Sequence, residues 1–208
     1  MIGTRVILVP GTWHGEWSDP DSPFWTFLEA QRFRPLKFRG WSGDVDGLPH
    51  VIDPQKSEKL SDWIAGGWAL FYLLRNLPYE RRNVVAHSHG GQVALFAAGL
   101  ARVQIHRLIT VCTPVRKDMA DIRKLAAPRI GRWRHVSADG WDFMQRAGEL
   151  FDGNFNWHQE RKMPEAHENL LIPKIGHSKL LYDQTLFPLW QQDGMLDFLR
   201  ADEGVVGV

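Results

Sequence analysis

Two kinds of segment alternate along this chain. Short runs dominated by apolar residues, Val6 to Val9, Leu36 to Phe38, Asn83 to Ala86, Ile105 to Val111, Trp133 to Ser137 and Leu170 to Ile172, read as buried strands. A strand covered on both faces has no polar side to present, so its hydrophobic run is continuous rather than alternating. Between these runs the apolar residues fall at helical spacing. Phe24 to Arg32 follows the Asp-Pro-Asp-Ser-Pro turn, and Leu60, Ile64, Trp68, Phe71 and Leu74 recur on one face before Pro78. Gln92 to Ala101, Arg116 to Leu125 and stretches toward Arg200 complete the helical set. The alternation predicts an α/β fold, a mostly parallel sheet of about six strands with helices on both faces.

Composition narrows the class. The chain has 208 residues and shows no internal repeat, low-complexity tract or linker, so one domain spanning 1–208 is expected. With 44% hydrophobic residues, 24% charged residues and a net charge of +1, nothing attracts it overall to nucleic acid or to a membrane surface. Nine basic residues do crowd between Arg102 and Arg134 against Asp118 and Asp121, and are expected to form a solvated face. Cys112 is the only cysteine, which excludes an intrachain disulfide and a cysteine-based zinc site. No apolar run approaches bilayer length and no secretory signal is visible, so membrane insertion is not expected and a cytoplasmic location is. Among ten tryptophans, Trp13, Trp17 and Trp41 sit in Gly-, Asp- and Ser-rich segments, where a large aromatic is expected to line a substrate pocket.

The candidate chemistry centres on Ala86-His87-Ser88-His89-Gly90-Gly91, between an apolar run and an Ala-rich one. A strand, a sharp turn with serine at its apex and a helix read this way, because small flanking residues keep the turn clear of its neighbours. Serine needs a base and an acid. His177 follows Gly176 at the end of a strand-like run and is the candidate base; His87 and His89 diverge from Ser88 in a tight elbow. The acid is expected after Trp133 to Ser137, where Asp142 is favoured over Asp139, which can begin a turn with Gly140. Backbone N–H groups of Thr12, after Pro10-Gly11, and of His89 are the candidate oxyanion donors.

With serine, acid and histidine in that order, the sequence resembles the α/β-hydrolase superfamily over nearly its whole length. Val9-Pro-Gly-Thr-Trp-His-Gly-Glu-Trp17 is similar to the oxyanion loop of the small methylesterase and hydroxynitrile lyase branch, with Pro10 in place of the usual first histidine. Phe38-Arg-Gly-Trp41-Ser42-Gly43 and Ala86 to Gly91 are similar to lipase-like proteins of bacteria and phages. Against that resemblance, no hairpin is expected before the oxyanion-loop strand, and little sequence is left for a lid. The resemblance implies a small serine esterase with a minimal lid, acting on a small-molecule ester without a cofactor or metal. A lyase or thioesterase using the same triad, or a catalytically silent binding protein, are the alternatives.

Overall fold

The computed structural model describes residues 3–11, 16–41, 60–138 and 162–200. Six strands form one parallel sheet: β1 (Thr4–Val9), β2 (Phe33–Lys37), β3 (Asn83–His87), β4 (Ile105–Val111), β5 (Ile130–Ala138) and β6 (Glu168–Ile172). Their order is β2-β1-β3-β4-β5-β6, and every neighbouring pair is parallel. The chain therefore starts inside the sheet, steps outward to β2, then crosses back over β1 and proceeds one strand at a time. The reversal falls between β1 and β3, the place where open α/β sheets present their ligand crevice at the strands' carboxyl ends.

Alternate residues of each strand feed two cores. Ile7, Val9, Val84, Ala86, Leu108 and Trp133 face one side, against α2 (Leu60–Arg75), α3 (Gly90–Gly99) and α4 (Ala120–Ala126). Val6, Leu8, Val85, Ile109, Val111 and Val136 face the other, against α1 (Pro23–Ala30), α5 (Lys179–Tyr182), α6 (Phe187–Gln192) and α7 (Met195–Arg200). The expected helix-covered parallel sheet is thus observed, and its central strand β3 is buried from end to end.

Several boundaries differ from the sequence reading, each for a local reason. α1 begins at Pro23 because Ser22 caps it, its Oγ accepting from Trp25 N–H at 3.1 Å. It stops before Arg32, whose φ of +63° turns the chain directly into β2. That strand covers Phe33–Lys37 rather than Leu36 to Phe38: Pro35 hides it in the sequence, yet proline is tolerated because β2 is an edge. α3 starts at Gly90, two residues earlier than expected, while α4 is shorter than Arg116 to Leu125 because Lys117–Met119 forms a 3-10 turn.

β5 and β6 are longer than their apolar runs because charged residues belong to them. Arg132 and Arg134 of β5 both pair with Glu168 of β6, the former at 2.5 Å. Their guanidinium carbons and that of Arg107 lie 5.1, 4.8 and 5.8 Å from the Phe198 ring centroid of α7. The basic crowd from Arg102 to Arg134 is therefore not simply a solvated face. Arg107 and Arg123 are 3% and 6% exposed, with Arg107 donating to Phe198 O at 2.7 Å and Arg123 to Glu165 at 2.8 Å. A long apolar stem lets each arginine pack while its planar head finds acceptors.

Candidate active site

β3 delivers Ser88 at its carboxyl end, and the backbone there is strained. Ser88 has φ +51°, a left-handed conformation that costs a non-glycine residue on the order of 1–2 kcal/mol. Two hydrogen bonds hold it: Ser88 N–H donates to Val111 O of β4 at 2.9 Å, and Gly91 N–H donates to Ser88 O at 3.0 Å. The following residues must be small. A Cβ on Gly90 would lie 2.3 Å from Pro10 O, and one on Gly91 would lie 2.0 Å from Thr113 Oγ1. The turn is thus clamped between the β1 and β4 exits, leaving Ser88 half-buried at the head of α3.

The loop leaving β1 reaches the same point. A Cβ on Gly11 would approach both the Ser88 Cβ and the His87 carbonyl oxygen to 2.8 Å. The two candidate segments, Pro10-Gly11 and the serine turn, are therefore in backbone contact. Thr12 and Trp13, the next residues of this loop, lie outside the described residues.

His177 arrives from the far edge of the sheet. The chain leaves β6 through Pro173 and Lys174, the latter at φ +62°, and carries His177 back over β3. Its ring centroid lies 5.0 Å from that of His87, and the neighbouring Ser178 Oγ is 3.4 Å from His87 Nε2. His87 is fully buried beneath, with Trp17 edge-on at 6.3 Å. His87, which the sequence suits to a pocket wall or a structural role, is thus the floor on which the His177 loop rests. Strand alternation puts His87 on the side of Val85, but the loop it meets there is set by the order of the strands.

His89 faces the opposite layer, its ring 5.1 Å from Trp63, over which the Arg116 guanidinium sits at 5.3 Å. The two histidines beside Ser88 therefore diverge as expected. Trp17 and Trp41, expected to line a substrate pocket, are 1% and 9% exposed and belong to the two cores, Trp17 packing against Phe24 at 5.7 Å. Indoles of that size are held in place because a sheet with helices on both sides has two interiors to fill.

Both acid candidates, Asp139 and Asp142, lie outside the described residues, as does most of the β5–β6 connection on which the expectation of a minimal lid falls. Its two ends are fixed: Ala138 closes β5, and Met163 is bracketed by Asn169, whose side chain accepts from Met163 N–H at 2.7 Å and donates to Met163 O at 3.2 Å. The connection therefore opens from the carboxyl end of β5, two strands from Ser88. Among the described residues, no three His, Cys, Asp or Glu side chains stand together as a metal site, and no helix is long and apolar enough to cross a membrane.

A parallel sheet with its order reversing beside a strained serine turn defines the class, and comparison with known proteins agrees. The chain belongs to the alpha/beta hydrolase family, whose model matches residues 6–201. Its fold is similar to a predicted CIB-like hydrolase from Thermoplasma acidophilum at 9% identity and a TM-score of 0.56, covering 93% of this chain and 86% of that one. It is also similar to an alpha/beta hydrolase from a sediment metagenome of the Mar Chica lagoon, at 16% identity, TM-score 0.52, with 94% and 91% covered. A third likeness is to a structure described with two metagenome-derived lipolytic enzymes, at 12% identity, TM-score 0.50, with 94% and 95% covered. No curated protein matches the chain.

Proposed function

We propose that this protein is a serine hydrolase that cleaves a carboxylic ester through an acyl-enzyme intermediate. The observation that carries the reading is the meeting of three segments at the carboxyl end of β3: Ser88 at φ +51°, Gly11 against its Cβ, and the His177 loop against the preceding His87. A left-handed serine is retained against its cost where the hydroxyl must stand clear of the backbone.

In this mechanism His177 takes the Ser88 Oγ proton as the oxygen attacks the ester carbonyl. The tetrahedral oxyanion is held by the N–H groups of Thr12 and His89, at the β1 exit and the head of α3. The proton passes to the departing alkoxide, and water, activated by the same histidine, releases the acid. Asp142 orients His177, with Asp139 as the alternative, and Trp13 contributes to the substrate pocket. Membership in the hydrolase family and the likeness of Val9 to Trp17 to esterase oxyanion loops support the ester class.

A fluorophosphonate probe tests the nucleophile. Wild type should be labelled and Ser88→Ala should not; an unlabelled, folded wild type would refute the reading. Turnover of nitrophenyl acetate or butyrate should exceed that of long-chain esters. Asp142→Asn should lower turnover by about 10³–10⁴-fold, as expected when the tautomer is lost, and Asp139→Asn far less. The opposite ranking reassigns the acid to Asp139.

A further inference from the structure

At the amino ends of the strands, on the edge of the sheet opposite Ser88, lies a cavity of about 190 Å³. Asn83 begins β3 and Ser88 follows its end, so at roughly 3.3 Å per residue the two regions stand about 16 Å apart. The cavity is lined by Arg5, Arg34, Arg81, Arg107 and Arg200, together with His106, against Glu80 as the one acidic residue among the described residues of the lining. The whole chain carries only +1, so this small volume concentrates positive charge that the rest of the molecule largely offsets.

The arrangement is built rather than incidental. Arg5 and Arg34 stand opposite each other in the β1–β2 register, a like-charge cross-strand pair that disfavours the sheet unless something offsets it. Among the described residues, neither these two nor Arg81 has an ion-pair partner. The floor is fixed. Buried Asn83 donates to Arg5 O at 3.2 Å and Glu80 O at 3.3 Å, which turns its Oδ1 to His106 Nδ1 at 3.2 Å. Arg107, held by Phe198 O, and Arg200, held by Gln31 O at 2.9 Å and paired with Asp197 at 3.4 Å, are likewise set in place.

We infer that this cavity binds a compact oxyanion of two or more charges, a phosphate or phosphomonoester. The volume is below the ~300–1,000 Å³ of sites for drug-sized ligands, which suits an anionic head rather than a large body. Guanidinium forks match tetrahedral oxyanions through paired charge-assisted hydrogen bonds. Its concave shape, set between the strand ends and α7, distinguishes it from the extended basic stripe that tracks a nucleic-acid backbone.

The full-length protein is titrated calorimetrically with inorganic phosphate and, separately, with glycerol 3-phosphate. Thermal unfolding is followed with each anion and with sodium chloride at the same ionic strength. Saturable binding and a melting temperature raised by phosphate beyond the chloride control are expected, because a ligand held only by the folded state stabilises it. Tighter binding of glycerol 3-phosphate identifies a phosphomonoester; equal affinity identifies the free anion. Arg34 and Arg81 are exposed, so the double variant Arg34→Gln/Arg81→Gln should fold and keep fluorophosphonate labelling while losing at least about tenfold in affinity. A melting shift that chloride reproduces, or a double variant with undiminished affinity, overturns the inference. Both readouts are independent of Ser88 chemistry.

Discussion

At the scale of single residues, two side chains occupy states that the surrounding fold imposes. Ser88 is left-handed because its N–H is committed to Val111 and its carbonyl to Gly91. Ser88→Gly should therefore remove the strain and raise stability by about 0.5–1.5 kcal/mol, measured by urea unfolding, while abolishing fluorophosphonate labelling. Unchanged or lowered stability would show that the turn is not strained by its Cβ. His135 is the second case. Burial pushes its pKa down from 6.5 to about 4. Trp133 Nε1 donates to Thr110 Oγ1 at 3.0 Å, leaving that hydroxyl to donate to His135 Nδ1 at 2.9 Å, which suits the neutral ring. A folded-state pKa below the unfolded one means that the unfolded chain binds more protons at acid pH. Stability is then fully present above pH 6.5 and lost as pH falls toward 4, by about 3 kcal/mol. His135→Gln should flatten that slope in urea titrations at pH 7 and 4.5; an unaltered slope would place the acid sensitivity elsewhere.

At the scale of elements, strands are bounded by what their ends must satisfy. Ser88 N–H bonds Val111 O and Cys112 N–H bonds Val136 O at 2.7 Å, so the exits of β3, β4 and β5 are stitched in sequence, with Ser88 and Cys112 both at positive φ. Closeness at the serine exit leaves no room for side chains. Gly91→Ala, whose Cβ would meet Thr113 Oγ1 at 2.0 Å, should destabilise by about 1–3 kcal/mol and weaken probe labelling by displacing Ser88. The variant keeping both wild-type stability and labelling would contradict the clamp. Element types were readable from apolar runs, β4 to its end residues, because burial on both faces writes itself as continuous hydrophobicity. The sequence reads β2, β5 and β6 short because Pro35, Arg132 and Glu168 look unlike strand residues. Their compatibility comes from the edge position of β2 and from ion pairing between β5 and β6, neither of which is local.

At the scale of the whole molecule, the sheet order brings residues 11, 88 and 177 to one end and five arginines to the other. Acid sensitivity has a component here too. Burial raises the Glu168 pKa, but hydrogen bonds from Arg134 and Arg132 more than reverse this, so its carboxylate ties β5 to β6 until the pH falls below the ordinary glutamate range. Sequence alone determined the alternation of strands and helices, the serine turn with its small flanks, and the glycine-bearing loop after the first strand. Each follows from short-range sterics and from the periodicity that burial demands. Only the tertiary structure decided that His87 supports the His177 loop, that Trp17 and Trp41 fill cores, and that the dispersed arginines converge on a cavity. Those depend on which strands become neighbours, and side chains separated by a hundred residues meet only once the sheet has set its order.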